Sequence, residues 1–498
     1  MIDSPVFALL KQLITFDKKI PQPVYIQVSQ QIINAIQRRY LTKGTILPGT
    51  RNLSKLLEVH RNTAVAIYDE LASQGWVEII PNKGTFVLEP EQTTVKIKAT
   101  SQKINEAYLS AKSTGFPFQT SFHLASTSQL TNAKFTINDG KPDLRLHPVH
   151  QFTRWYSAAM KRKTLIKKWN RPNEFSDSIF QTHICNYLNA TRGFHVNSNN
   201  LLSTRSTEMS LYIVSQLIIK QKDIVLVGNL SNYASNMIFQ QAGASIKTIP
   251  VDKNGLDVNY IKKHFVKGSI RCVYVCAHRD YPTMVTLSVE RRLQLLLLAK
   301  EYGFAIIEDD YDYDFQFEGS AMLPMASADV NGMVIYLGKL GQSLFPSFQT
   351  GFVIAPKNLI SEANNYLQLL DKQGDLIQKQ MLSELINEGE IYRLMKKNVV
   401  VYKQRRDCLC DLLKIHFTEI ATWKIPSGGL AIWLEFQPKI SLVQLTEEAE
   451  KIDLFIPKTI LYQDKNTCAI RFGFGHLNEE EIASVIKKLK KAHRKVSL

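Results

Sequence analysis

The sequence predicts an α/β protein of two parts, in which a small helical domain ending in a β-hairpin precedes a much larger domain built around a buried sheet. Near the N-terminus, three short stretches with helical apolar spacing are followed by two strand-like runs joined by a turn. Farther along, continuous apolar runs of strand length alternate with amphipathic helical stretches, which is typical of a mostly parallel sheet covered on both faces. A chain of 498 residues is long enough for two or three hydrophobic cores.

Composition narrows the classes of function and partner. The formal net charge of +16 favours a polyanionic partner, nucleic acid before a membrane surface. The six cysteines show no zinc-type spacing, so we expect free thiols, no metal site and a reducing, cytoplasmic location. The N-terminal residues lack a basic segment ahead of an apolar core, and the longest apolar runs are too short for a membrane span. We therefore expect neither a signal peptide nor a membrane partner.

The first domain, residues 15–88, is predicted to be a winged helix-turn-helix. Its three helical patterns begin near Tyr25, Leu53 and Ala64. The strand-like run at 76–80, the turn at 81–84 and a second strand-like run then form the wing. Residues 89–118 are polar and lack strong periodicity, so we expect a linker there.

The residues at the helix starts and the wing tip are those that a winged helix directs at DNA. The N-terminal end of the third helix enters the major groove, where Arg61 can contact guanine or a phosphate through two N–H groups. At the start of the second helix, Thr50 and backbone N–H groups can hold a phosphate. Either arginine alone would more often be an ordinary surface residue, but both beside a glycine-tipped wing favour binding to double-stranded DNA. The predicted DNA-binding residues are Thr50, Arg51, His60, Arg61, Asn62, Thr63, Lys83 and Gly84.

The second domain, residues 119–498, is predicted to be a large α/β domain with a small α+β subdomain over 357–498. Its strand-like runs begin at Asp223, Ser245, Arg271, Phe304, Gly332 and Gly351. Amphipathic helices are expected over 206–220 and 288–302. After residue 357 a long helical stretch leads to a tail that contains the strand LAIWLEF.

Both parts resemble known families. The segment from PVYIQVSQQ to NKGTFV resembles a GntR-family winged helix over its whole length, and the second half resembles a fold-type I aminotransferase. Their combination is similar to the MocR/PdxR regulators, over nearly the whole chain. The resemblance implies a homodimer whose two winged-helix domains bind paired operator half-sites. It also implies a large domain that binds pyridoxal 5'-phosphate and an amino compound as a sensor, so the small-molecule effector is expected to act there.

Part of the cofactor site is retained in the sequence. The run Glu308-Asp309-Asp310-Tyr311-Asp312 resembles the family's EDDYD motif, which implies Asp309 at the pyridine nitrogen and Tyr311 at the ring oxygen. Arg471 matches the arginine that holds a substrate carboxylate. The local sequence would equally permit Asp309 to be a capping acid at a strand end.

The lysine that such a site requires is missing. The run GKLGQSLFPSFQTGF, residues 338–352, matches the family's strand-end motif in SLFP and in its closing glycine. This register puts Gln342 at the position of the Schiff-base lysine and Gln349 at that of a phosphate-binding arginine. Because a carboxamide cannot form a Schiff base, we expect no catalytic residue and no covalent cofactor.

Other changes affect the same site. The run Thr204-Arg205-Ser206-Thr207-Glu208-Met209 resembles the start of the phosphate-binding helix, but Glu208 brings negative charge towards the phosphate position. Tyr233 matches the aromatic residue that stacks on the cofactor, and Tyr281 lies in a retained YPT motif. The predicted remnant pocket comprises Ser206, Thr207, Tyr233, Tyr281, Asp309, Tyr311, Lys339, Gln342, Gln349 and Arg471.

Two alternatives remain open on the sequence. Lys339, three positions before Gln342, could hold the phosphate or reach the aldehyde, which would make the protein a cofactor-sensing regulator; noncovalent binding would do the same. A solvent-facing lysine is the more common situation. The other alternative is an aminotransferase with a DNA-binding head, against which Gln342 argues directly.

Overall fold

The structure of the protein is a computed structural model. It describes residues 5–17, 22–37, 40–81, 83–88, 114–118, 124, 131–162, 178–320, 322–341, 350–372 and 374–496. The chain divides into two compact units, Met1–Pro117 and Phe118–Leu498.

The N-terminal unit contains the predicted helices and hairpin, with one more helix ahead of them. Its helices are α1 (Pro5–Leu13), α2 (Val24–Gln37), α3 (Thr50–Leu56) and α4 (Arg61–Ser73). Its strands are β1 (Ile46–Leu47), β2 (Val77–Ile80) and β3 (Gly84–Val87), which form an antiparallel sheet in the order β1-β3-β2. The predicted domain, residues 15–88, does not include α1, but Leu10 of α1 is buried in the domain core.

The core of this unit lies between α2 and α4. Val28 and Ile32 of α2 pack with Ala64 and Ile67 of α4, and all four are fully buried. Burying a valine or isoleucine side chain contributes about 1.5–3 kcal/mol, so the apolar face of α2 holds α4 in place. Outside the core, the Gln31 amide accepts from and donates to the backbone of Thr15, which fixes the segment after α1.

The second unit contains a large mixed sheet with helices on both faces. Its helices are α5 (Val149–Met160), α6 (Ser178–Arg192), α7 (Thr207–Ile218), α8 (Tyr233–Gln241), α9 (Val258–His264), α10 (Val289–Tyr302), α11 (Lys357–Leu370), α12 (Leu376–Asn387), α13 (Glu390–Phe417), α14 (Leu442–Glu450) and α15 (Glu479–Val496). Its strands are β4 (Phe135–Thr136), β5 (Leu201–Thr204), β6 (Ile224–Gly228), β7 (Ser245–Ile249), β8 (Val251–Asp252), β9 (Gly255–Leu256), β10 (Ile270–Val275), β11 (Ala305–Asp310), β12 (Val334–Leu340), β13 (Thr350–Ile354), β14 (Ala421–Trp423), β15 (Ala431–Phe436), β16 (Leu454–Phe455), β17 (Leu461–Gln463) and β18 (Cys468–Gly473).

The large sheet has seven strands in the order β5-β13-β12-β11-β10-β6-β7. β13 runs antiparallel to both of its neighbours, and the other neighbouring strands pair in parallel. One apolar layer, which includes Leu211 of α7 and Ile360 of α11, covers one face. A second layer, which includes Leu295 of α10, covers the other. The predicted α/β fold class is confirmed, and β11 and β12 end at the same edge of the sheet.

A smaller α+β subdomain follows. Its antiparallel sheet has the order β14-β15-β18-β17 and packs against α13, α14 and α15. The strand β4, far earlier in the chain, pairs with β16 and so belongs to this subdomain.

Residue 357, the predicted start of this subdomain, is the first residue of α11. Ile360 and Ala363 of α11 are buried in the layer on the large sheet, because α11 follows β13 directly. The long helical stretch expected after residue 357 consists of three helices, α11, α12 and α13. Gly389, at a φ of +72°, separates α12 from α13. No helix in the described ranges has an apolar stretch of the length that a bilayer requires.

Candidate functional site

Two exposed arginines lie at the starts of α3 and α4 in the N-terminal unit. Arg51 lies in the first turn of α3, and Arg61 is the first residue of α4. Both side chains are exposed, and neither makes an ion pair with any residue that the structure describes. Asn62 is exposed as well, and Thr50 and Thr63 are partly buried. The N–H donors of both guanidinium groups are therefore available to bind another molecule.

His60 has a structural role that the sequence analysis did not assign. It is the N-cap of α4, and its Nδ1 accepts a hydrogen bond from the Asn62 backbone N–H at 3.2 Å. This bond satisfies one of the N–H groups that a helix start leaves without an intrahelical partner. The usual capping residues are Ser, Thr, Asp and Asn, so a histidine at this position is not an ordinary signal for a cap.

The wing is the hairpin of β2 and β3. Lys83 is exposed at its tip, and Gly84 opens β3 with a φ of +127° that side-chain-bearing residues rarely adopt. Together with Arg51 and Arg61, Lys83 gives this unit three exposed cations at the positions where the sequence predicted DNA contacts.

A pocket lies at the carboxyl ends of β11 and β12, beside the start of α7. Its lining residues are Thr207, Glu208, Leu211, Asn232, Ala234, Ser235, Ile238, Asp309, Tyr311 and Lys339. Four of these residues were predicted for the remnant pocket. Tyr233 is 49% exposed and is not among the lining residues, whereas its neighbour Asn232 is. Gln342 and Gln349 lie outside the described residues.

Asp309 offers an acceptor with no partner to this pocket. Its Oδ2 accepts a hydrogen bond from the Tyr274 hydroxyl at 2.6 Å, while its Oδ1 has no hydrogen-bond partner among the described residues. The side chain is only 7% exposed, and this burial raises the pKa of Asp309 to about 6, against the opposing effects of Tyr274 and Lys339. An N–H donor in the pocket would complete the hydrogen bonding of this carboxylate.

The start of α7 is already capped by the chain's own groups. The Ser206 hydroxyl accepts a hydrogen bond from the Met209 backbone N–H at 3.1 Å. Desolvation acts to raise the pKa of Glu208. The charge of Lys339 and the hydrogen bonds from the Glu208 backbone N–H and from Ser206 have a larger, opposite effect, so the pKa of Glu208 lies below its usual value. An ionised carboxylate therefore lies at the positive end of the helix.

This arrangement fits a pyridine ring better than it fits a phosphate. The unpartnered Oδ1 of Asp309 is suited to a protonated ring nitrogen. At the helix start, however, the Glu208 carboxylate takes a backbone N–H that a phosphate would need and adds repulsion. The described residues therefore do not fit the phosphate group of pyridoxal 5'-phosphate. Among them, no group of three or more His, Cys, Asp or Glu residues is placed to hold a metal ion.

Arg471, the residue predicted to hold a substrate carboxylate, has protein partners on each of its nitrogens. It lies in β18 with only 2% exposure, and its Nε donates to Asp139 Oδ1 at 2.8 Å. Its Nη1 donates to the Pro282 carbonyl at 3.0 Å, and its Nη2 lies 3.4 Å from the Tyr311 hydroxyl. The Tyr281 ring lies 4.7 Å from the guanidinium carbon.

Asp139 completes this cluster and was missed by the sequence analysis. Its second oxygen, Oδ2, accepts a hydrogen bond from the Tyr281 hydroxyl at 2.9 Å. In the sequence, Asp139 lies in the run Asn138-Asp139-Gly140, which is an ordinary turn signal. No local pattern relates it to an arginine 332 residues away.

Comparisons with known proteins agree with the two-part architecture. Residues 24–87 match the family described as bacterial regulatory proteins, gntR family. The HTH-type transcriptional regulator YdfD of Bacillus subtilis is 23% identical over 95% of this chain and 96% of its own length. The probable rhizopine catabolism regulatory protein MocR of Rhizobium meliloti is 23% identical over 85% of this chain and 84% of its own length.

The large unit has the fold of aminotransferases. The crystal structure of an archaeal alanine:glyoxylate aminotransferase superposes with a TM-score of 0.66 at 24% identity, over 72% of this chain and 91% of that chain. At this level of identity the likeness establishes the fold and not the activity. The chain therefore combines an N-terminal helix-turn-helix domain of the GntR family with an aminotransferase-like C-terminal region, in the organisation of the MocR-type regulators.

Proposed function

We propose that this protein is a transcriptional regulator that binds operator DNA through its winged helix and senses a small-molecule effector with its aminotransferase-like domain. The observation that carries this proposal is the pair of exposed arginines at the starts of α3 and α4, within the segment that matches the GntR family. The net charge of +16 supports a polyanionic partner.

The DNA-binding role is tested by removing both arginines. Arg51→Ala/Arg61→Ala should weaken binding to DNA from the region upstream of the protein's own gene. It should also reduce the slope of log affinity against log salt by about 2, because each phosphate contact contributes about 0.9. Fluorescence anisotropy at several salt concentrations measures both quantities. Lys11→Ala, which removes an exposed cation of the same unit, is the matched control. Affinity and salt slope equal to those of the wild type would refute the assignment.

We propose that the large domain does not catalyse transamination and has lost covalent cofactor binding. The motif alignment places a carboxamide, Gln342, at the lysine position. Glu208 at the helix start and the protein partners of Arg471 support the same conclusion. Losing one charge-assisted contact to a phosphate costs about 1.5–3 kcal/mol, or one to two decades of affinity.

A second candidate is a regulator that senses the cofactor through Lys339. One observation favours it, since Lys339 lines the pocket beside Asp309. Purified protein mixed with pyridoxal 5'-phosphate distinguishes the two. The proposal expects no visible absorbance band of a cofactor–lysine adduct, whereas a band that Lys339→Ala abolishes would establish the second candidate.

We further propose that the protein acts as a homodimer with two winged helices on paired half-sites. The resemblance to the MocR-type regulators supports this, since a symmetric dimer matches a repeated operator. Analytical ultracentrifugation should give a mass of two chains, and an operator with one half-site removed should bind more weakly. A monomer at micromolar concentration would contradict this part of the proposal.

A further inference from the structure

The cluster around Arg471 contains a carboxylate supplied by the protein itself. The two oxygens of Asp139 accept from Arg471 Nε and from the Tyr281 hydroxyl, at 2.8 and 2.9 Å. The guanidinium lies against two aromatic rings, those of Tyr281 and Tyr311. An arginine, a phenol and two ring faces make a complete site for one carboxylate, and Asp139 occupies it.

The position of Asp139 is fixed by its neighbours in the chain. The Asn138 side chain accepts hydrogen bonds from the backbone N–H groups of Gly140 and Lys141, at 2.9 and 3.0 Å. The Gly473 N–H, two residues beyond Arg471, donates to the Asn138 carbonyl at 2.9 Å. Since the turn and β18 are joined by backbone hydrogen bonds, Asp139 and Arg471 are held in register by the backbone as well as by their ion pair.

Each of the three nitrogens of Arg471 contacts a protein acceptor among the described residues. Its Nη1 contacts the Pro282 carbonyl and Met284 Sδ, and its Nη2 contacts the Tyr311 hydroxyl. The side chain is 2% exposed, whereas Asp139 is 39% exposed on its other side. A ligand carboxylate that takes the donors of Arg471 Nε and the Tyr281 hydroxyl would have to displace Asp139 and leave its charge without the arginine partner, which is unfavourable.

The lining of the adjoining pocket has two carboxylates, those of Asp309 and Glu208, and one cation, Lys339. Tyr311 lies both in the Arg471 cluster and in the pocket lining. In that lining, Asp309 Oδ1 and Thr207 Oγ1 are buried without hydrogen-bond partners among the described residues, and the carboxylate of Glu208 faces the single cation Lys339. A buried carboxylate oxygen is satisfied by a donor, and a protonated amine supplies donors together with the complementary charge.

We propose that Asp139 is a built-in carboxylate in the anion site of Arg471, and that the pocket therefore takes a small amine without a carboxylate. This inference rests on the proposed effector-sensing role of the large domain and names the chemical class of its effector. Asp139 acts here as a specificity-determining residue, because it excludes the carboxylate of an amino acid.

The proposed anion site of Arg471 is tested by removing the Asp139 carboxylate from it. Asp139→Gly should lower the Tm of the full chain, and sodium acetate should restore it saturably in the millimolar range, because acetate supplies the missing carboxylate to Arg471. Sodium chloride at equal ionic strength should not restore it, and acetate should leave the wild-type Tm unchanged. Should the glycine variant fail to fold, Asp139→Ala leaves a smaller space, and formate takes the place of acetate.

Asp252→Gly is the matched control. Asp252 also pairs with an arginine, Arg291, at 2.7 Å, but Asp252 is 51% and Arg291 16% exposed, so this pair is more open to solvent than that of Asp139 and Arg471. No enclosed anion site results from its removal, so acetate should not act on this variant. If neither Asp139 variant responds to acetate or formate, or if acetate stabilises the wild type equally, the proposal is overturned.

The ligand class is tested with pairs of molecules that differ by one carboxylate. Ethylamine and alanine, isobutylamine and valine, and phenethylamine and phenylalanine serve as probes in thermal shift assays. We expect at least one amine to stabilise the wild type more than its amino acid, and Asp139→Gly to reverse that order. An amino acid that stabilises the wild type as well as its amine would refute the inference. These readouts involve no DNA, so they are independent of the test on Arg51 and Arg61.

Discussion

Tyr274 donates a hydrogen bond to Asp309 across two neighbouring parallel strands, with 2.6 Å between the two oxygens. Both side chains are almost completely buried, and Tyr274 also lies 3.1 Å from the Ser235 hydroxyl. This bond holds Oδ2 of the carboxylate, while Oδ1 has no hydrogen-bond partner among the described residues. Tyr274 is therefore the residue that orients Asp309 at the pocket.

Tyr274→Phe should destabilise the large unit and increase the pKa of Asp309 further. Removing the donor leaves a buried carboxylate oxygen unsatisfied, which costs about 1–3 kcal/mol of unfolding free energy. The loss should be greater above pH 6 than at pH 4, because the bond stabilises the ionised form. Urea unfolding at the two pH values measures it.

Tyr366→Phe is the control for that experiment, since its hydroxyl makes no hydrogen bond among the described residues. Its effect should stay within about 0.5 kcal/mol. Equal losses in the two variants would mean that the Tyr274–Asp309 bond contributes nothing.

Asp309→Asn should stabilise the protein in a pH-dependent manner. At low pH the Asp309 carboxyl is protonated in the folded and unfolded states. As the pH rises from the unfolded pKa of about 4 to the folded pKa of about 6, only the unfolded state loses the proton, so stability falls. The unfolding free energy of the asparagine variant relative to the wild type should therefore grow by roughly 2 kcal/mol between pH 4 and pH 7.

Asp371→Asn should show the opposite trend. The hydrogen bond from Arg205 lowers the pKa of Asp371, so its stabilising effect is present at pH 7 and is lost as the pH falls through the folded pKa. The asparagine variant should therefore lose more stability at pH 7 than at pH 4. For the Asp309→Asn experiment, curves of unfolding free energy against pH that run parallel in the variant and the wild type would contradict the raised pKa of Asp309 in the folded state.

Gly351→Ala should disrupt the contact between β13 and the start of α7. A Cβ at this position would lie 2.3 Å from the Ser206 carbonyl carbon and 2.6 Å from the Thr207 nitrogen, and both are backbone atoms. Backbone cannot rotate away as a side chain does, so we expect a loss of about 3 kcal/mol or more in unfolding free energy. Gly115→Ala, where a Cβ meets nothing within 4 Å, should have little effect. Thermal unfolding compares the two variants, and similar Tm values would contradict this packing.

The central strands of the large sheet could be predicted from the sequence because they are buried on both faces. Runs such as β6 and β10 are therefore continuously apolar and easy to recognise. The edge strand β5 was missed, since Leu201 and Leu202 are followed by Ser203 and Thr204 and the run resembles a loop. Its position became evident only through pairing with β13, which is a tertiary contact.

The candidate pocket could be predicted in part, and for a similar reason. Asp309, Tyr311 and Lys339 end adjacent strands, and a family motif marks each strand end. Asp139 and Tyr274 carry no such motif, because their roles depend on partners 332 and 35 residues away in the chain. His60 was correctly placed at the start of α4, but its imidazole faces the helix N–H groups and not only the solvent.

His60→Ala and His60→Ser separate a capping role from a DNA-contacting role. The cap formed by His60 Nδ1 is worth about 0.5–2 kcal/mol if it resembles other N-caps. In the alanine variant of the full chain, the amides in the first turn of α4 should exchange with deuterium roughly 2- to 30-fold faster. Serine accepts the same backbone N–H, so His60→Ser should retain slow exchange.

The DNA affinities of the same two variants complete the argument. If His60 acts through the cap, serine should keep most of the affinity, and alanine should lose affinity because the start of α4 frays and Arg61 is no longer held in position. If the imidazole itself contacts a base, the serine variant should also lose affinity although its exchange stays slow. A loss of affinity in the serine variant would return His60 to the set of DNA-contacting residues, and retained affinity in that variant would establish His60 as the residue that positions Arg61.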